Sequence, residues 1–150
     1  MKRRHFVATL GVMFALPERA LAQMPGPHVS SIDPLVWSFT KGREVHPGKV
    51  TLDLPARAES GHSVAMTVRV ASPMSETDYV RAIHLISEIN PVRDLATFYL
   101  GPRAGRAEVS SRIRLNGTQR MVAVAELSDG SFWSGAVHIE VVQPACTDEG

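Results

Sequence analysis

Apolar and polar residues alternate along most of the chain. Val50, Leu52 and Leu54 alternate with Thr51 and Asp53, and Val64, Met66, Val68 and Val70 with Ala65, Thr67 and Arg69. Ile83 and Leu85 flank His84. Ala107, Val109, Ser111, Ile113 and Leu115 alternate with Glu108, Ser110, Arg112 and Arg114, which places that charged set on one face. Met121, Ala123 and Ala125 follow, and Val137, Ile139 and Val141 close the series. Period two is the strand period, because successive side chains point to opposite faces. The pattern predicts about seven or eight short strands. Ser60-Gly61, Asn90-Pro91, Gly101-Pro102, Asn116-Gly117 and Asp129-Gly130 punctuate them, and Asn-Gly and Asp-Gly supply the positive φ that tight hairpins need. Many short strands with regular turn signals predict an all-β sandwich, placed at residues 23–142. Residues 23–31 are a Pro/Gly/Ser-rich lead-in. Residues 32–40, carrying Trp37, fit a short helix or a strand equally well.

The first 22 residues have a different character. Lys2, Arg3 and Arg4 precede an apolar stretch at residues 7–16, and Ala20-Leu21-Ala22 follows. A charged start, an apolar middle and an A-x-A site form the layout of a cleaved export signal at residues 1–22. The apolar stretch is shorter than the roughly 20 residues of a membrane span. Arg3-Arg4 before His5-Phe6 resembles a twin-arginine signal, so the expected destination is the periplasm.

Composition narrows the function classes. The chain is 44% hydrophobic, too apolar for a disordered polymer. Its formal net charge is +1, and removal of the leader takes away Lys2, Arg3, Arg4 and Arg19 against Glu18, leaving a slightly acidic protein. Neither nucleic acid nor a membrane is an expected partner. A single Cys excludes an internal disulfide framework.

The common catalytic templates are missing. The sequence contains no GxSxG, HExxH, phosphate-cradling glycine loop or CxxC. His28, His46, His62, His84 and His138 are scattered, and Met24, Met66, Met74 and Met121 read as core gap-fillers. No cofactor or metal site is therefore expected. Trp37 and Trp133 read as core or interface anchors. Arg103, Arg106, Arg112 and Arg114 form the one local basic cluster, either a solvated strand face or an anion-attracting or partner-facing patch.

Cys146 remains. A lone cysteine in an exported protein can be buried and inert, paired with another chain, a metal ligand or a reactive thiol. It follows the last predicted strand, which ends near Val142, on the polar tail of residues 143–150. Counted from Val142, four residues give the thiol a reach of about 13–14 Å. Such a tether suits delivery into another protein's active site. The other readings are a structural β-sandwich cross-linked through Cys146, or a metal-binding one using Cys146 with a histidine and a methionine.

Several stretches together resemble the SoxY family. They are Asn90-Pro91, Ala96-Thr97-Phe98, Leu100-Gly101-Pro102-Arg103-Ala104-Gly105-Arg106-Ala107, Arg112-Ile113-Arg114-Leu115, Ala125-Glu126 and Ser128-Asp129-Gly130-Ser131-Phe132-Trp133-Ser134-Gly135. Pro47-Gly48-Lys49-Val50, Leu52-Asp53-Leu54-Pro55, Ser72-Pro73-Met74 and the twin-arginine leader also match. The resemblance implies an immunoglobulin-like antiparallel sandwich with a flexible C-terminal arm. It also implies a non-enzymatic sulfur carrier of the periplasmic thiosulfate-oxidising system, in a heterodimer with a SoxZ-like subunit. A haem enzyme would load the carrier and a hydrolase would release sulfate from it. The residue matching the family's attachment point is Cys146.

The tail departs from the family's Gly-Gly-Cys-Gly-Gly ending. Pro144-Ala145-Cys146-Thr147-Asp148-Glu149 is stiffer, bulkier and acidic. Asp148 and Glu149 disfavour the thiolate and repel an anionic reagent, so the thiol should be quiet until a cationic partner site receives it.

Overall fold

The structure, a computed structural model, describes residues 34–145. The leader, Met24, His28 and Cys146 lie outside the described residues. Among the latter the order is α1 (Pro34–Thr40), β1 (Val45–Pro47), β2 (Val50–Asp53), β3 (Arg57–Ser60), β4 (Val64–Val70), β5 (Val80–Ser87), β6 (Asp94–Tyr99), a short 3-10 turn (Pro102–Ala104), β7 (Glu108–Ile113), β8 (Gln119–Leu127) and β9 (Phe132–Gln143).

The strands form two facing sheets, an all-β immunoglobulin-like sandwich. The larger has the order β1-β9-β8-β5-β6, with β3 also paired to β9; the smaller is β2-β4-β7. Most pairs are antiparallel, but β1 and β3 both run parallel to β9, one beside each end of it. The alternation in β2 and β4 is reproduced as strictly alternating burial, with Val50, Leu52, Val64, Met66, Val68 and Val70 facing inward. They meet Ile83, Leu85, Met121, Ala123, Ala125, Ile139 and Val141 of the larger sheet. Burying each larger aliphatic side chain is worth roughly 1.5–3 kcal/mol, which makes this layer the main source of stability. Met66, Met74 and Met121 are all buried, as gap-fillers should be.

The ambiguous segment is a helix. Pro34 suits a first helical position, where its missing N–H costs nothing. Val36 is buried, and Leu35 and Phe39 pack with it on the outer face of the larger sheet against Val45, Ile86, Val122, Val124 and Phe132. This second small core explains why β5 and β8 are apolar on both faces. His84 belongs to that face. Its ring stacks on Phe39 at 3.9 Å between centroids, and its Nδ1 lies 3.1 Å from Thr97 Oγ1. Burial pushes the imidazole below its ordinary pKa, against the opposing pull of Asp94 and Glu126.

Asp129-Gly130 forms the β8–β9 hairpin turn. Gly130 has φ +82°, and Asp129 Oδ1 accepts the Ser131 N–H and Oγ–H at 2.8 and 2.7 Å. Asn116-Gly117 does not close a hairpin: it carries the chain from β7 in the smaller sheet to β8 in the larger. Trp37 is 57% exposed and is not a core anchor, whereas Trp133 is half-buried beside His46 and under the Lys49 ammonium.

Candidate functional site

The last strand leads toward Cys146, so the site is built at the end of β9. β9 continues to Gln143, one residue beyond the predicted end, because β3 pairs with its second half. Arg57, Ala58 and Ser60 stand opposite Glu140, Val141 and Gln143, and the Arg57 guanidinium bridges Glu59 and Glu140 at 3.0 and 3.4 Å. On its other side Val141 donates its N–H to Thr118 Oγ1 at 3.0 Å.

Beyond the strand a backbone clasp takes over. Gly61 N–H donates to Gln143 O at 2.8 Å, Leu115 N–H to Gly61 O at 2.9 Å, and Ala145 N–H to Leu115 O at 2.9 Å. Three distant segments are thereby tied at one point. Gly61 must be glycine there, since a Cβ would lie 2.0 Å from Leu115 O and 3.0 Å from Ala145 N. Leu115 itself is fully buried, which fixes the carbonyl that Ala145 grips.

The turn carrying Leu115 is held in turn by a buried polar network. Asn90 Nδ2 donates to Arg114 O at 2.8 Å, and its Oδ1 accepts Asn116 N–H and Gln119 Nε2 at 2.9 and 3.0 Å. Gln119, 2% exposed, also donates to Gly117 O and accepts from Ser87 Oγ and Ile89 N–H. Both its amide hydrogens and two acceptor positions are used, which is what burial of an amide requires.

This geometry corrects the reach counted from Val142. The chain is still attached to the body at Ala145, so Cys146 follows the last tie among the described residues by one peptide, about 3.8 Å between Cα atoms. The structure also divides the basic cluster. Arg103 lies in the 3-10 turn and Arg106 just before β7, whereas Arg112 and Arg114 are at its far end, next to the clasp. There Arg112 Nε donates to Ser63 Oγ at 2.7 Å, and both arginines border a cleft of about 400 Å³ with Asn90, Leu95, Phe98 and Ile113. Sequence reasoning missed the clasp because it is made of backbone atoms; the only residue signal was Ser60-Gly61, read as a turn. It missed the Asn90–Gln119 network because Asn90-Pro91 has an equally good turn reading.

The family model described as sulfur oxidation protein SoxY matches residues 38–146, from α1 through the clasp to the cysteine. The chain belongs to the SoxY family. Among solved structures, the sulfur carrier protein SoxY from Chlorobium limicola f thiosulfatophilum is similar, with TM-score 0.63 and 23% identity over 75% of this chain and 92% of that one. A superoxide reductase (neelaredoxin) from Ignicoccus hospitalis follows, with TM-score 0.58 and 15% identity over 65% and 94% of the two chains. A superoxide reductase from Nanoarchaeum equitans has TM-score 0.54 and 10% identity over 63% and 99%. At these identities the likenesses are of fold alone. No curated protein sequence matches the chain. Among the described residues of this SoxY-family chain, no three His, Cys, Asp or Glu side chains gather in a group that could hold a metal ion.

Proposed function

We propose that this SoxY-family protein is a non-enzymatic, covalent sulfur carrier with Cys146 as the attachment point. The observation that carries the reading is the extent of the family match, which ends at Cys146, one residue past the clasped Ala145. A thiol at that position leaves the body at a fixed place and enters a partner's site without moving the sandwich. Loading joins the thiosulfate dianion to the thiol through a new S–S bond, and a haem enzyme takes up the two electrons while the thiol's single proton is released. Hydrolysis then cleaves the bond between the outer sulfur and the sulfonate, so water supplies the oxygen of the departing sulfate and the outer sulfur stays on Cys146 as a persulfide. The protein works in the periplasm after twin-arginine export, in a heterodimer with a SoxZ-like subunit.

The test is the mass of the Cys146 peptide isolated without reductant from native periplasm. Thiosulfonate and persulfide adducts are expected, and Cys146→Ser should abolish thiosulfate turnover while leaving the urea midpoint unchanged. A peptide found only as an intermolecular disulfide, or full turnover with Cys146→Ser, would overturn the carrier reading.

A further inference from the structure

We infer that the outer end of β7 is a docking surface for the chain's own acidic tail, with Asp148 and Glu149 paired to Arg112 and Arg114. The inference stands on this chain's charges and geometry and holds whether or not Cys146 carries sulfur.

Position comes first. Ala145 is hydrogen-bonded to Leu115 O, and Leu115 directly follows Arg114. Arg112 is fastened to Ser63, two residues after Gly61, whose Cβ position lies 3.0 Å from Ala145 N. Both arginines are exposed. They therefore flank the point where the tail leaves the body.

Charge is the second argument. The arginine ion pairs among the described residues engage Arg57, Arg69 and Arg81, not Arg112 or Arg114. Glu108, the acid of β7, is held at 3.0 Å by Arg69. Two neighbouring same-face cations, without a carboxylate partner among the described residues, sit beside a tail that carries two carboxylates.

Reach is the third. Asp148 is three residues past Ala145 and so can extend at most about 10–11 Å from it. Along the strand Arg114 is one residue from Leu115 and Arg112 three, a distance of about 3–10 Å. The tail is long enough to meet both and too short to reach Arg103 and Arg106 beyond the other end of β7. The cleft bordered by these arginines, with Leu95, Phe98 and Ile113, gives the tail's apolar atoms a place to lie.

Docking would hold Cys146 against the body and slow its reaction with any reagent, charged or not. Removal of the arginines by itself acts in the opposite direction, because nearby cations favour the thiolate. The two effects separate in one assay. The mature protein, in the assembly in which it purifies, is reacted with uncharged N-ethylmaleimide, and the rate per thiolate is taken from a pH profile. Arg112→Gln with Arg114→Gln should raise that rate roughly threefold to tenfold at low salt, as two exposed ion pairs permit. Asp148→Asn with Glu149→Asn should do the same, and all four changes together should give no further increase. Salt above about 0.5 M should bring the wild type to the variants' rate. As a second readout, the amides of residues 147–149 should show slow-tumbling 15N relaxation that is lost in either double variant. If removing the arginines lowers the rate or leaves it unchanged, if the two double variants' effects multiply, or if those amides relax identically in all proteins, the docking is wrong.

Discussion

Replacement of Gly61 by alanine tests the clasp directly. Gly61 has no positive φ. At a compatible glycine, alanine stabilises by about 0.4–1 kcal/mol, because it narrows the unfolded ensemble. The clasp reverses the sign. The new Cβ would stand 2.0 Å from Leu115 O, whereas ordinary contact begins at 3.4 Å. Leu115 is fully buried and cannot retreat without disturbing the core around it. The Leu115 N–H to Gly61 O and Ala145 N–H to Leu115 O bonds are lost together, at about 0.5–1.5 kcal/mol each. Overpacking adds about 1–3 kcal/mol. We expect Gly61→Ala to lose about 2–4 kcal/mol in urea unfolding, a midpoint shift of about 1–2 M, and to lose hydrogen-exchange protection at the Ala145 amide. Gly101→Ala is the control. Gly101 has φ −152°, and nothing lies within 4 Å of its Cβ position. It should be neutral or slightly stabilised. The reasoning fails if Gly61→Ala unfolds within about 0.5 kcal/mol of wild type and the Ala145 amide stays protected.

Three further outcomes are expected. Gln119→Leu leaves the Ile89 N–H and Gly117 O without their partner and should cost about 2–4 kcal/mol, read as a lowered urea midpoint with the m-value unchanged. His84 is held neutral by burial, so its contribution to stability is complete above its unfolded value of 6.5 and falls as pH drops through the lower folded value. Urea midpoints of wild type should thus fall from pH 7.5 to pH 5 more steeply than those of His84→Gln, and parallel profiles would refute this. Arg3→Lys with Arg4→Lys should leave unprocessed precursor in the cytoplasm, followed by immunoblot of cell fractions; an unchanged periplasmic yield would refute the twin-arginine route.

The parts of the fold that were legible in the sequence are those with one wet face and one dry face. β2 and β4 alternate because their outer faces meet solvent, and their limits were readable almost to the residue. β5 and β8 were found but not explained, since α1 buries their second face and erases the alternation. β3, with the sequence Arg57-Ala58-Glu59-Ser60, has no apolar face to read; its strand conformation comes from pairing with β9. β6, an edge strand, is half-buried along much of its length and gives no clear period. At the site, Cys146 stood out because it is the one thiol on a tail without apolar periodicity. The clasp could not be anticipated, because amide and carbonyl groups are the same in every residue. Gly61 betrays it only once its missing Cβ is placed in three dimensions.

The position of β9 also decides how the molecule bears a pull. A partner that draws on the tail pulls along the axis of β9, which lies between antiparallel β8 and parallel β3 and β1. Hydrogen bonds in these ladders stand across that axis. A tug therefore loads many of them in shear at once instead of peeling them off singly. Among the described residues the Ala145–Leu115 bond is the tie at the tip, the weak link in series with that strong ladder. Under load the tip yields first, the tail lengthens by a residue or two, and the sandwich stays whole.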